Sequence, residues 1–270
     1  METLNDAENA ALGASVAVLE GVLLQPTLYW KNAMQQALPF TIDPRKLYRG
    51  LFASLLNEAG QMSIQFGITG GVKRRVRSDG ASEPRWLSLA AASAGGMAAA
   101  LFASPVELVM IQQQRSGESA HTTLRAVTHA HGVGARGLCR GLGPAVLRDA
   151  VYVGGMLGLT PLVQAMLAER YEASAGVAGF WASVVGGVAG GVLSHPFDVV
   201  KTCMQGDLGC ARYGSFTATT ARLLAEGGFA RLLHGVTWRT INITATVYIA
   251  NECCCKLPPY IRRLTRGEGS

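Results

Sequence analysis

The stretch LSHPFDVVKTCMQ, residues 193–205, decides how this chain is read. It follows an apolar, glycine-rich run, AGFWASVVGGVAGG, at residues 178–191. A soluble core helix rarely finishes with a proline, an acid, a base and an amide, so the question is whether the pattern recurs. It recurs twice, as LLQPTLYWKNAMQ at residues 23–35 and FASPVELVMIQQQ at residues 102–114. Each copy has a proline after an apolar run (Pro26, Pro105, Pro196) and a glutamine nine residues later (Gln35, Gln114, Gln205). A second block follows each one: LYRGLFASLLNE, LCRGLGPAVLRD and LLHGVTWRTINI, with glycines at Gly50, Gly141 and Gly235. Two ordered blocks, each present three times, mark an internal repeat.

Apolar runs precede each proline and follow each block glycine. They predict six helical spans, at residues 9–36, 50–73, 86–114, 141–167, 176–206 and 235–257. A hydrocarbon core takes about 20 residues to cross, so the expectation is an all-α membrane protein. Its three repeats are residues 1–85, 86–175 and 176–270, together one transmembrane domain of six helices. Charged residues make up only 16% of the chain, against about 25% in an ordinary soluble domain. The prolines inside the spans predict kinks. Small residues four apart, Gly13 with Ala17, Ala92 with Gly96 and Ser183 with Gly187, predict close helix approach. Polar, amphipathic segments between the two blocks, such as TLRAVTHAHGVGARGL and TATTARLLAEGGFARLL, predict short surface helices; the first repeat is shorter there.

Other signals exclude more than they add. The net charge of +6 suits anionic lipid, and KRRVR at residues 73–77 reads as a helix end at a membrane surface rather than a nucleic-acid contact. Six cysteines contain no Cys-x-x-Cys pair, so no metal site and no cofactor is expected. GVGARG at residues 132–137 fits Gly-x-Gly-x-x-Gly by letter, but no strand precedes it. The triplet at Asn242 matches a glycosylation acceptor yet falls in mid-helix. His195 reads as a packing residue, and no nucleophile–base–acid set points to an enzyme. Acids precede the first apolar run, unlike a secretory signal or a mitochondrial presequence, so any address is expected to be internal.

These repeats resemble the mitochondrial carriers, whose pattern is Pro-x-Asp/Glu-x-x-Lys/Arg closing each odd helix, then an aromatic–basic–glycine block opening each even helix. The third repeat matches fully, with Pro196, Asp198 and Lys201. The resemblance implies a six-helix bundle with three-fold pseudosymmetry and short matrix-side helices. It also implies one central substrate site opened alternately to the two sides, and a multi-pass location in the mitochondrial inner membrane. By the same resemblance the partners are a small-molecule substrate and membrane lipid, cardiolipin among it, and the protein is a monomer.

The resemblance assigns the proline motifs to a matrix gate. Asp198 and Lys201 are three apart and share a helical face. The implied pairs are Lys31 with Asp198 and Glu107 with Lys201; the third pair is missing at both ends, where Leu28 and Met110 stand. Losing both partners leaves no orphan charge, whereas random decay would more often strand one. Pairs near water are worth about 0–1 kcal/mol each, which predicts a latch that opens easily. Gln35, Gln114 and Gln205, each four residues past the base position, are expected to brace the pairs from below. At the opposite gate the acid positions hold Gly70, Pro161 and Cys255, and the base positions Lys73, Gln164 and Pro258; only Lys73 fits.

Substrate contacts in the family fall seven and eight residues after each block glycine. Here these are Asn57 and Glu58, Arg148 and Asp149, and Asn242 with Ile243. Ionisable groups in mid-membrane usually face a cavity. Arg148–Asp149 is similar to the pair in carriers of amino acids and carnitine-like compounds: the guanidinium fork suits a carboxylate and the acids suit an ammonium. Gln61 extends the polar stripe of Asn57, and Arg239 lies one turn before Asn242. Two functions are compatible with this. One is a carrier for a small zwitterionic, amino-acid-like metabolite. The other is a carrier-fold protein without transport activity that serves as a scaffold or adaptor.

Overall fold

The computed structural model describes residues 6–76 and 85–261. Among them lie nine helices. Six are long: α1 (Asp6–Gln35), α3 (Leu51–Val76), α4 (Arg85–Ser116), α6 (Leu142–Tyr171), α7 (Ala175–Gly206) and α9 (Val236–Lys256). Three are short: α2 (Pro44–Leu47), α5 (Ala120–His131) and α8 (Phe216–Arg231). Each short helix sits between the two long helices of one repeat, and α2 is a single turn because the first repeat has the shortest linker. The short helices start where the sequence supplies a cap. Asp43 accepts from Arg45 N with Pro44 at the first helical position, Ser119 accepts from Thr122 N, and Ser215 accepts from Ala218 N.

The long helices touch in chain order, and α9 returns to α1, so they close a ring. Helices α1, α4, α6 and α7 contain stretches long and apolar enough to cross a bilayer. Helices α3 and α9, at 26 and 21 residues, span roughly 39 and 31 Å at 1.5 Å per residue, also enough for a core of about 30 Å. They fall short only in apolarity, because Asn57, Glu58, Gln61, Arg239 and Asn242 turn inward and line a cavity. Pro26, Pro105 and Pro196 lie inside α1, α4 and α7.

Close helix approach depends on more glycines than the predicted pairs. A methyl on Gly155 would lie 2.8 Å from Gly190 Cα, and one on Gly190 would lie 2.7 Å from Tyr152 O, so α6 and α7 meet backbone to backbone. Gly96 and Gly187 are also contact points: a methyl there would sit 3.0 Å from Val153 Cγ2 and from Ile243 Cγ2. Gly13 is not, because among the described residues no atom of another helix comes within 4 Å of where its Cβ would be. The side chain of Ala92 lies outside the described residues.

The block glycines interlock the repeats. Gly50, Gly141 and Gly235 have φ of 81, 80 and 86°, the left-handed region, and the carbonyl of each accepts the first hydrogen bond of the even helix that follows. Each packs on the odd helix of the next repeat, at its base position: Gly50 on Met110, Gly141 on Lys201 and Gly235 on Lys31. Arginines then cap the odd-helix ends. Arg140 Nε donates to Met204 O at 2.6 Å, and Arg231 Nη2 donates to Gln35 O at 2.8 Å, filling carbonyls that have no partner within their helices. Past α7, Asp207 accepts from Ala211, Arg212 and Tyr213 N–H. Burial would raise its carboxyl pKa, yet these donors hold it below the ordinary value.

Gly141→Ala should lower stability by about 1–2 kcal/mol, the cost of a left-handed residue with a Cβ. Gly143→Ala, in the exposed first turn of α6 with nothing within 4 Å of its Cβ, should be neutral or stabilising. Thermal unfolding in detergent measures both.

Candidate functional site

The six long helices enclose a cavity of about 490 Å³. All seven sequence-predicted substrate residues line it: Asn57, Glu58 and Gln61 from α3, Arg148 and Asp149 from α6, and Arg239 and Asn242 from α9. At the proline end the cavity stops at a layer of ion pairs. Lys31 Nζ is 2.9 Å from Asp198 Oδ2, and Lys201 Nζ is 2.6 Å from Glu107 Oε2. Leu28 borders the cavity, and Met110 is buried against Gly50, so no charge occupies the third position. Helices α1 and α4 are joined there by neutral groups instead: Asn32 Nδ2 donates to Gln114 Oε1 at 2.9 Å.

Two cavity arginines extend this layer, which sequence spacing alone does not disclose. Arg148 Nη1 lies 2.7 Å from Glu107 Oε1 and 3.4 Å from Asp198 Oδ1, while its Nε and Nη2 hold both oxygens of Asp149 at 2.7 and 3.0 Å. Arg239 Nη1 lies 3.1 Å from Asp198 Oδ2, its Nη2 donates to Ser194 Oγ, and its guanidinium sits 5.7 Å from the centre of the Tyr152 ring. The residues expected at the substrate site and those expected at the gate are therefore one network. Tyr152 lies three residues after Asp149, and that helical spacing was the available signal for it.

Burial changes the energetics expected of this layer. The side chains of Asp198 and Lys201 are 0% and 2% exposed, and those of Glu107 and Lys31 are 9% and 11%. These are buried pairs, and removing one partner costs about 3–5 kcal/mol rather than the 0–1 of a pair near water. The easily opened latch expected from sequence is corrected on this ground.

The glutamines do not act alike. Gln35 Nε2 donates to Asp198 Oδ2 at 2.8 Å and so touches the Lys31–Asp198 pair. Gln205 does not reach Glu107 or Lys201; its Nε2 donates to the carbonyls of Ser104 and Arg140, because Gly141 brings the second block against its stem. Gln114 accepts from Asn32, there being no ion pair above it to brace.

Among the described residues, polar groups of the cavity wall stand unspent, Thr160 Oγ1 among them. Asn57 is 6% exposed, and its Oδ1 has no hydrogen-bond partner. The Glu58 carboxylate lines the cavity, is exposed, and makes no salt bridge among the described residues. His195 is packed between helices, with Nε2 3.0 Å from His234 O. At the far ends of the even helices, Pro161, Gln164 and Cys255 are exposed, and Pro258 follows α9. The side chain of Lys73 lies outside the described residues.

The family model described as "Mitochondrial carrier protein" matches residues 82–171 and 173–251. A probable mitochondrial 2-oxodicarboxylate carrier of Dictyostelium discoideum is 26% identical over 80% of this chain and 75% of its own length. A mitochondrial glycine transporter of Saccharomyces cerevisiae is 28% identical over 71% of this chain and 67% of its own. A mitochondrial electrogenic aspartate/glutamate antiporter of Mus musculus is 27% identical over 73% of this chain, which spans only 29% of that longer protein.

Asp198→Asn should be the most damaging single change in the layer, because it removes a carboxylate shared by cations from four helices. A loss of about 3–5 kcal/mol is expected. Lys31→Gln should cost less, since Asp198 keeps Arg239. Thermal unfolding of the two variants side by side gives the comparison.

Proposed function

We propose, from the premise that the chain belongs to the mitochondrial carrier family, that it moves a small zwitterionic, amino-acid-like metabolite by alternating access. Family membership makes it a multi-pass protein of the mitochondrial inner membrane, and members of the family are transporters rather than enzymes. The gate pairs and cavity residues take their roles in this reading from their positions. The proline-end ion layer is the matrix gate, and the cavity above it is the substrate site.

One observation supports the zwitterion. The layer holds four cations, Lys31, Arg148, Lys201 and Arg239, against three carboxylates, Glu107, Asp149 and Asp198. One positive charge is in excess, and a buried excess charge attracts an anionic group. Above the layer, among the described residues, Glu58 makes no salt bridge and stands beside the unpartnered Asn57 Oδ1, with the Glu20 carboxylate of α1 close enough to interact with it. A substrate with one carboxylate and one ammonium meets both demands and adds no net charge to the cavity. A dicarboxylate would add a negative charge that nothing in the layer offsets. Asp149 is the weaker ammonium acceptor, because both its oxygens are engaged by Arg148.

The adaptor reading draws on the outer gate positions of the even helices, where Gly70, Pro161, Cys255, Gln164 and Pro258 are uncharged and only Lys73 is charged. Uptake into proteoliposomes separates the two. Neutral amino acids should be taken up faster than dicarboxylates. Arg148→Ala should reduce uptake of every carboxylate-bearing solute by 10-fold or more, roughly one charge-assisted bidentate contact. Glu58→Gln should impair amino acids while sparing their N-acetyl forms. Absence of uptake for all solutes tested, in folded protein, would favour the adaptor.

A further inference from the structure

We infer that the proline end opens on one side only: α1 and α4 part from each other while both stay joined to α7, which serves as the hinge of a jaw. This rests on the transport reading above. The ends of the three odd helices form a triangle whose sides differ in chemistry. On the α1–α7 side, Lys31 holds Asp198 at 2.9 Å, Gln35 donates to the same carboxylate at 2.8 Å, and Cys203 Sγ donates to Gln35 O at 3.2 Å. On the α4–α7 side, Lys201 holds Glu107 at 2.6 Å, Gln205 Nε2 donates to the carbonyl and hydroxyl oxygens of Ser104 at 3.1 and 3.2 Å, and Gln112 Nε2 donates to Gln205 O at 2.6 Å. Arg148 reinforces that side by spanning Glu107 and Asp198 at 2.7 and 3.4 Å. The α1–α4 side holds no ion pair among the described residues. Its joints rest on amides: Asn32 donates to Gln114 at 2.9 Å and, at the exposed end, Arg115 Nη1 donates to Gln36 Oε1 at 3.1 Å.

The relative strengths decide which side gives. A neutral hydrogen bond contributes little net, because water takes up both partners when it breaks. Parting either of the other sides separates buried ions and leaves charge uncompensated. The neutral side even gains on opening: Gln114 Nε2 is buried without a partner in the closed ring, and water entering between α1 and α4 supplies one. Its apolar part is soft as well. Met110 packs on Gly50 with an unbranched side chain that repacks readily. The hinge is equally well suited. Both ion pairs that cross it use lysine, a point charge on a flexible stem whose donors rotate, so a carboxylate pivots about the ammonium without losing contact. The pair missing at Leu28 and Met110 is then the mouth of the jaw. A third ion pair there would fasten the one side that has to open.

The test measures three distances in lipid nanodiscs, in protein whose six native cysteines are replaced. Spin labels are placed in pairs by Ala37→Cys, Glu118→Cys and Gly209→Cys, exposed positions just past the ends of α1, α4 and α7. The probe solute is an equimolar mixture of neutral amino acids. It should raise a longer population between the α1 and α4 labels about tenfold, a bias that a modest differential affinity produces, and leave both distances to the α7 label unchanged. A solute-free arm uses Asn32→Asp with Gln114→Glu, which sets two carboxylates against each other across the neutral side. It should populate the same longer α1–α4 distance and leave the other two alone. Leu28→Asp with Met110→Lys, which puts an ion pair across the mouth, should abolish the response to amino acids. The inference is overturned if the three distances lengthen together, if a distance to α7 lengthens in place of α1–α4, if the carboxylate pair leaves α1–α4 unchanged, or if the added ion pair leaves the response intact. Uptake into proteoliposomes with lengthening on all three sides, or with no α1–α4 response to amino acids, would sink the jaw and leave transport standing. No uptake, with the carboxylate pair opening the α1–α4 side alone, would sink transport and leave the jaw.

Discussion

The carboxylate of Asp198 is the point on which the structure turns. It is wholly buried, and Lys31, Arg239, Arg148 and Lys201 all lie within 3.7 Å of it. A lone anion in that setting would be prohibitive, and so would four cations without it; together they form a cluster of opposed charges that ties α1, α6, α7 and α9. Everything around it is arranged to tolerate this. Gln35 supplies a neutral donor, Ser194 takes the second nitrogen of Arg239, and Glu107 and Asp149 take what Asp198 cannot satisfy.

Much of this was readable from sequence because the repeat sets the phase. Pro196, Asp198 and Lys201 fix where one motif sits, and the copies then locate Lys31 and Glu107 without any knowledge of contacts. The helix spans were legible for a similar reason: long apolar runs have few alternatives in lipid. What escaped was reach. Arg148 carries a long side chain, and no spacing rule says that it bends toward Glu107 instead of the cavity centre. Gln205 occupies the same motif position as Gln35, yet the approach of Gly141 sends it to backbone carbonyls. Gly13 has the right spacing to its neighbour, but among the described residues no atom of another helix lies within 4 Å of where its Cβ would be; a small-residue pattern predicts what could pack, and the rest of the bundle decides what does.

The first repeat is the divergent one. It has a one-turn surface helix, Leu28 in place of the acid, and the family match begins only at residue 82. Its structural duties are nonetheless kept. Gly50 still enters the left-handed region against Met110, and Asn32 with Gln114 joins α1 to α4 through amides. The change from ions to amides at one of three interfaces makes the layer asymmetric, with its charge gathered around α7.

That asymmetry bears on how the chain can be assembled. Lys31 is placed in the membrane with the first helix, but its carboxylate lies 167 residues further along, in the third repeat. Gln35 and the end of α1 wait equally long, for Asp198 and for Arg231. Until α7 arrives, the first helix carries a cation that only lipid headgroups or translocation machinery can shelter. With leucine at residue 28, Lys31 has no acid three residues before it on its own helix, as Lys201 has in Asp198, so its partner must come from the third repeat.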